Sequence, residues 1–441
     1  MSRSFLRFAF LLVLLAFGAA LLAACNSGAA TQTAAPPTAA PASTSAPAAG
    51  NAKKIVIGFT TSQTGSLNVE STRQLHGLQL WLDNVQKAGG IKLKDGTVLM
   101  PDIKFYDDES KTDRVQQLYT KLINDDKVDF LISPYSSGLA KTAAVVTEQN
   151  GKVMVTTGAA DDTTMEQGYK ATFQLYTPGS RYLAGAIDLF QQLSPNSKNI
   201  AIVYETDAFS TGVAKAAQDY AKTKGYNIVL FEGYAGTTTD FAPLINKITA
   251  ANPDAIIGGG HFDNGSTLTK QLYDKKVSVK MLALVVAPAE ATFSKIGDGA
   301  NNVLGPSQWE PQVTFTSATA QAANLPWYGI ANADFISQYK AKFNEDPSYH
   351  SAGGYAAGLL LQKAIEDAGS TDPTAVTAAF DKFDLLTFFG HIKFSTDAKT
   401  HGKQVGHDMV LIQWQKAASG DLGKQIVFPL NAKTADAQLK Q

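Results

Sequence analysis

The sequence predicts an α/β protein of two doubly wound parallel-sheet lobes joined by a three-crossing hinge. Three observations carry this. Short β-branched runs alternate with longer amphipathic stretches, the pattern of repeated βα units. The stretch from Lys53 to Phe428 is too long for one core at ~100–200 residues per domain. The alternation also breaks at two segments holding Pro and Gly, and again after a late pair of helices.

The first unit places a strand at Lys54–Gly58 and a helix near Thr72–Lys87. Further strands are predicted at Asp102–Tyr106, Val128–Ile132, Val153–Thr156, Asn199–Tyr204, Asn227–Phe231, Ala255–Gly259 and Lys280–Val286, with helices between them. Right-handed crossovers then cover both faces of parallel sheets, and ligands sit at the strands' C-terminal ends. The crossings between lobes fall at Phe173–Ser180, Gly305–Pro311 and Thr387–Phe394, the last after helices at Ser351–Ala368 and Pro373–Phe383. This gives an N-terminal lobe of 53–176 with 309–386, a C-terminal lobe of 177–308 with 387–430, and a tail at 431–441.

Residues 1–24 read as a secretory signal: Arg3 and Arg7 supply a basic start, and Phe8 to Leu22 is almost wholly apolar but shorter than the ~20 residues a membrane span needs. Leu22-Ala23-Ala24-Cys25 resembles the bacterial lipobox, which implies cleavage before Cys25 and lipid on its thiol. Residues 25–52, rich in Ala, Thr, Ser, Pro and Gly, form a tether that cannot bury enough apolar surface to fold. The expected location is extracytoplasmic, anchored by lipid to the bacterial cell membrane.

Thirty-eight basic residues against 39 acidic ones leave a net charge of −1, so there is no field for nucleic acid. Cys25 is the sole cysteine, which excludes cysteine catalysis in the folded part. Gly260 to Gly265 has phosphate-loop spacing, but Ser266 stands where Lys is required and Asp263 where a dinucleotide fingerprint needs Gly. No Gly-x-Ser-x-Gly elbow occurs. His401, His407 and Asp408 match no zinc signature. No catalytic residue, cofactor or metal is expected, and without repeats or heptads a structural role ranks last.

Two loops each leave a buried strand and enter a helix, which suits them to hold a small molecule. Ser133 to Gly138 offers unpaired N–H groups and the hydroxyls of Ser136 and Ser137, enough to take a carboxylate at about 1.5–3 kcal/mol per charged hydrogen bond. Helix capping by the same serines is the alternative. Thr157 to Asp161 is the second loop.

The order of motifs resembles the type I periplasmic binding proteins of the leucine/isoleucine/valine-binding family, which serve ABC importers. The likeness rests on Ile57-Gly58-Phe59 with Thr64-Gly65, Ala88-Gly89-Gly90-Ile91, Tyr106-Asp107-Asp108-Glu109 and Pro134-Tyr135-Ser136-Ser137-Gly138. It continues through Asp207-Ala208-Phe209, Asp240-Phe241, Pro253-Asp254, Gly258-Gly259-Gly260, Gly297-Asp298, Val303-Leu304-Gly305 and Gly354-Tyr355-Ala356-Ala357. It implies the periplasmic binding protein-like I fold in a monomeric receptor that closes on an amino acid or related small organic acid or amide, and an ABC permease as partner. A ligand-sensing module on the same fold, or an exported enzyme, are the competing readings.

The resemblance places ligand contacts at Ser136, Ser137 and Gly138, and at Ala159, Ala160 and Asp161. Asp161 departs from the family's hydroxyl residue; it either caps the next helix or receives a cation. Where relatives carry aromatics this chain has Phe209 and Gly260, leaving room for His261 or Phe262. Glu290 is the candidate partner for a ligand ammonium, with Asp263 its rival. Trp309, at the second crossing, stacks on a ligand or packs the hinge; Trp327 and Tyr328 line the cleft mouth or pack the surface. Glu70 and Arg73 are given no role beyond the rim.

Overall fold

The computed structural model describes residues 52–440. The expected signal, most of the tether and Cys25 lie outside them.

The first sheet is built from β1 (Ala52–Thr61), β2 (Ile91–Lys92), β3 (Val98–Asp107), β4 (Phe130–Ile132), β5 (Met154–Thr156) and β6 (Thr172–Gln174), in the order β2-β3-β1-β4-β5-β6. Helices α1 (Asn68–Lys87), α2 (Thr112–Asn124) and α3 (Ser137–Gln149) connect them. β1 has strands on both edges and helices on both faces, so Ile55, Ile57 and Phe59 are buried, and so are Gly58 and Thr60, which face the opposite side. α1 buries Leu75, Leu78, Trp81 and Val85 at helical spacing. It stops before Gly89 and Gly90, whose φ values of +85° and +91° favour glycine.

The chain then enters α4 (Ala184–Leu193), β7 (Asn199–Glu205), α5 (Ala208–Thr223), β8 (Asn227–Tyr234), α6 (Ala242–Ala251), β9 (Ala255–Gly259), α7 (Phe262–Asp274), β10 (Met281–Leu284) and β11 (Val303–Ser307). It returns through α8 (Ser317–Ala322), α9 (Asn332–Phe343), α10 (Tyr349–Ala368) and α11 (Pro373–Phe380), then the hairpin β12 (Asp384–Thr387) and β13 (Gly390–Lys393). β14 (Val410–Lys416) and β15 (Leu422–Phe428) complete the second sheet, ordered β15-β14-β11-β10-β9-β7-β8. α10 packs on α1 so closely that a Cβ on Gly77 or Gly354 would meet the backbone of the other helix.

Two doubly wound α/β lobes result, as expected, with four corrections. The sheets are not wholly parallel: β2 runs against β3, and β14 and β15 run antiparallel because a five-residue turn is too short for a crossover. The third crossing does not lie at Thr387–Phe394. Those residues belong mostly to the β12–β13 hairpin, and the segment after it stays on the first lobe, where Gln174 N–H donates to Gly402 O at 2.8 Å. Residues 431–440 are no free tail: Lys440 N–H donates to Lys280 O at 2.8 Å and Gln438 N–H to Gln413 Oε1 at 2.9 Å. The strand expected over 280–286 ends at Leu284, because Val286 (φ 61°, ψ −67°) makes a tight γ-turn in which Ala287 N–H donates to Val285 O at 2.7 Å.

Strand order reverses at β1, between β3 and β4, and at β7, between β8 and β9. A doubly wound sheet opens a crevice at the C-terminal ends of the strands where its order reverses. The loops after β4, β7 and β9 therefore hold the residues that meet between the lobes.

Candidate functional site

The loop after β4 carries Tyr135 and the loop after β9 carries His261, and the two meet: Tyr135 Oη lies 2.8 Å from His261 Nδ1. Beside them, Glu70 in the first turn of α1 accepts the N–H of Phe262, the first residue of α7, at 2.9 Å. A carboxylate from one lobe thus caps a helix of the other, where the positive end of the helix dipole favours it. Glu70 is fully buried and no rim residue.

These contacts border a tight cavity, with about 10 Å³ open to the centre of a water-sized sphere, lined by Tyr135, Ser136, Gly158, Ala160, Tyr176, Tyr182, Phe209, His261, Val286, Tyr349 and His350. Both lobes contribute. The hydroxyls of three wall tyrosines are turned to the protein. Tyr135 meets His261, Tyr176 donates to Tyr349 O at 3.2 Å, and Tyr182 accepts from Gln308 Nε2 at 2.8 Å. Their rings therefore present apolar faces. Gly158, at φ +67°, brings the backbone against Tyr135 and Gln74, where a Cβ would clash.

Ser136 is the N-cap residue of α3, yet its side chain makes no capping bond, and it lies on the cavity wall. Ser137 is used differently. Its Oγ accepts N–H bonds from Ala160 at 3.0 Å and Asp161 at 3.2 Å, fastening the second loop to the first. Gly138 and Ala159 are not on the wall; Ala160 is. Asp161 accepts from Thr164 N–H at 2.9 Å and so caps the short helix 162–164.

Phe209 and His261 line the cavity, while Asp263 is exposed on α7. Glu205 and Asn264 fill the space beside Gly260, so His261 and Phe262 do not occupy it. Glu290 is buried behind the wall, with Oε1 2.7 Å from His350 Nδ1 and Oε2 3.7 Å from Arg73 Nε. Trp309 is fully buried against Phe335 and Phe388, with Nε1 donating to Asn332 Oδ1 at 3.0 Å; it packs the hinge side of the first lobe and does not reach the cavity. Trp327 and Tyr328 also lie off the wall, Tyr328 donating to Glu366 at 2.8 Å.

Burial alone would drive the His261 imidazolium to lose its proton, but Asp207, Glu205 and Glu70 outweigh it and hold the pKa up to about 9. Burial pushes the Glu70 carboxyl up, and His261 and His350 offset this only in part. For Glu290 the balance reverses: burial is outweighed by His350 and Arg73, and the carboxyl lies below its ordinary value. Among the described residues, Glu205, Asp207 and His261 bring one donor atom each within 4.8 Å of one another. These groups already serve one another and the backbone: Asp207 caps α5 through Phe209 and Ser210, and Glu205 accepts from His261 N–H and Asn264.

Sequence reasoning missed Tyr176, Tyr182, Tyr349 and His350. They come from the first crossing and from the start of α10, far along the chain from the loops that flagged the site.

A sequence profile of the family described as periplasmic binding protein matches residues 54–421. The chain belongs to this family. The leucine-, isoleucine-, valine-, threonine- and alanine-binding protein of Pseudomonas aeruginosa is 25% identical over 370 residues, covering 83% of this chain and 92% of that one. Among solved structures, a branched-chain amino acid transporter substrate-binding protein from Streptococcus pneumoniae in complex with isoleucine aligns with a TM-score of 0.69 at 22% identity. The alignment covers 86% of this chain and all (100%) of the other. An ABC-transporter solute-binding protein from Rhodopseudomonas palustris in complex with p-hydroxybenzoic acid gives 0.71 at 18% identity, over 88% and 98%. This periplasmic binding protein is a non-catalytic receptor for a small solute, works outside the cytoplasm and serves an ABC-type importer.

Proposed function

We propose that this receptor takes a small aromatic carboxylic acid and delivers it to its permease. The observation that carries this is the wall of the interlobe cavity: Tyr135, Tyr176, Tyr182, Phe209 and Tyr349 supply five rings, and no lining residue is acidic. An amino acid needs a carboxylate for its ammonium, and Glu290 is already committed to His350 and Arg73. A flat ring stacked among aromatic faces gains apolar burial plus about 0.5–1.5 kcal/mol per favourable ring pair. The acid group then faces Ser136, the N-terminus of α3 and the cationic His261. The Rhodopseudomonas palustris protein of the same fold holds an acid of this class.

Titration calorimetry with benzoate, 4-hydroxybenzoate, L-isoleucine and acetamide tests the reading. Saturable binding of a benzoate supports it. Tight isoleucine binding with none for benzoates overturns it in favour of an amino acid.

We further propose that lipid on Cys25 holds the receptor at the membrane. Cys25→Ser should move it from the membrane fraction to the soluble fraction; unchanged fractionation would rule the anchor out.

A further inference from the structure

The cavity wall holds a buried histidine with one ring nitrogen occupied and the other free. His350, in the first turn of α10, is fully buried and borders the cavity. Glu290 Oε1 lies 2.7 Å from its Nδ1, which fixes that nitrogen as a proton donor. Its Nε2 is buried without a protein partner. Most buried polar atoms in native structures are bonded, so an unpaired one on a cavity wall is placed to bond a ligand group. His261 has no such atom, since its Nδ1 faces Tyr135 and its Nε2 lies 3.8 Å from Asp207 Oδ1.

We propose that His350 determines specificity by donating Nε2–H to the carboxylate of the bound acid, and that Glu290 is the positioning residue that orients its ring. This rests on the reading of the ligand as a carboxylic acid. Arg73 lies 3.7 Å from Glu290 and also pairs with Glu345. Arg73 thus offsets the charge of Glu290 and Glu345, and the ligand meets the ring of His350 where an unpaired acid would repel it. Tyr349 at 3.9 Å and Tyr135 at 5.0 Å between ring centroids hold the imidazole in place. Glu290 therefore acts through His350, one step back from the ligand.

Charge separates this role from a structural one. Benzamide offers a carbonyl to the same donor but carries no charge, so the ratio of benzoate to benzamide affinity reports how strongly the site recognises the ligand's charge. Calorimetry on the full chain in detergent, with benzoate, benzamide and L-isoleucine, would compare wild type with His350→Gln and Glu290→Gln, each checked by thermal melting. Benzoate affinity is expected to fall about ten- to a hundredfold in either variant, with benzamide changed less than about threefold. A misfolded site would weaken both alike. If His350→Gln does not fold, Glu290→Gln carries the same comparison.

A benzoate-to-benzamide ratio preserved in both variants overturns the proposal and leaves the aromatic-acid reading intact. If wild type binds isoleucine and not benzoate, the aromatic reading fails. His350 then stands if His350→Gln weakens isoleucine by the same factor, and falls if it does not. Binding of neither acid by wild type overturns it as well.

Discussion

The hydroxyl of Thr177 donates to Nδ1 of His407 across 2.7 Å, joining the first stretch between the lobes to the last. His407 Nε2–H donates in turn to Phe389 O at 3.1 Å, and burial keeps the ring neutral, which leaves Nδ1 as the acceptor for Thr177. Gln308, from the second stretch, accepts the N–H of Thr177 at 3.0 Å. The strands of the hinge are laced through one threonine, which gives the lobes a shared axis.

That lacing has a pH dependence. Burial depresses the His407 pKa to about 4 in the fold, below the ~6.5 of an unfolded histidine. The unfolded chain therefore takes up the proton first, and the stability His407 contributes is present above about pH 6.5 and is lost as pH falls through about 4. Melting temperatures from pH 7 to 4 should drop more steeply for wild type than for His407→Gln. Parallel curves would show that the ring does not titrate in this way.

His261 has the opposite sign. Its folded pKa of about 9 lies above the unfolded value, so its contribution is fully present below about pH 6.5 and is lost as pH rises through 9. The expected loss is of order 1–3 kcal/mol, and His261→Gln should flatten it. Melting between pH 7 and 10 checks this.

Ser136 and Ser137 should separate. Ser137→Ala strands the buried N–H groups of Ala160 and Asp161 and should lower stability by about 1–3 kcal/mol. Ser136→Ala should leave melting nearly unchanged and weaken an acid ligand by about 1–3 kcal/mol. Paired melting and calorimetry distinguish the two, and equal effects would deny the division of labour.

Gly354→Ala forces a methyl into the backbone of α1 at Gln74. Overpacking of this kind costs about 1–3 kcal/mol or more. Chemical denaturation should show that loss, while the exposed Gly212 on α5, where an added Cβ would meet nothing closer than 3.8 Å, should tolerate alanine.

The alternation of strands and helices was legible because each element is set by local periodicity, and the loops after β4 and β5 were legible because a strand entering a helix has a recognisable form. Glu70 was misread because a carboxylate in the first turn of an amphipathic helix looks solvated until another lobe covers it. Trp309 was ambiguous because a tryptophan at a chain crossing suits stacking on a ligand as well as packing, and only Phe335 and Phe388 decide between them. The third crossing was set too early because the β12–β13 hairpin, with Phe388 and Phe389 at its turn, breaks the βα rhythm much as a crossing would. Tyr176 and His350 carry no local signal: one follows a three-residue strand, the other opens an ordinary helix.

Tyr135 with His261, Glu70 with Phe262 and Glu290 with His350 all join one lobe directly to the other. Each of these bonds favours the shut form whether or not a solute is inside. A larger shut population lowers the conformational cost that a ligand must overcome, and raises apparent affinity in proportion. It also narrows the difference between full and empty receptors at the membrane. Scavenging power and futile transporter cycling are thus set by the same few hydrogen bonds, and adjusting either one shifts the other.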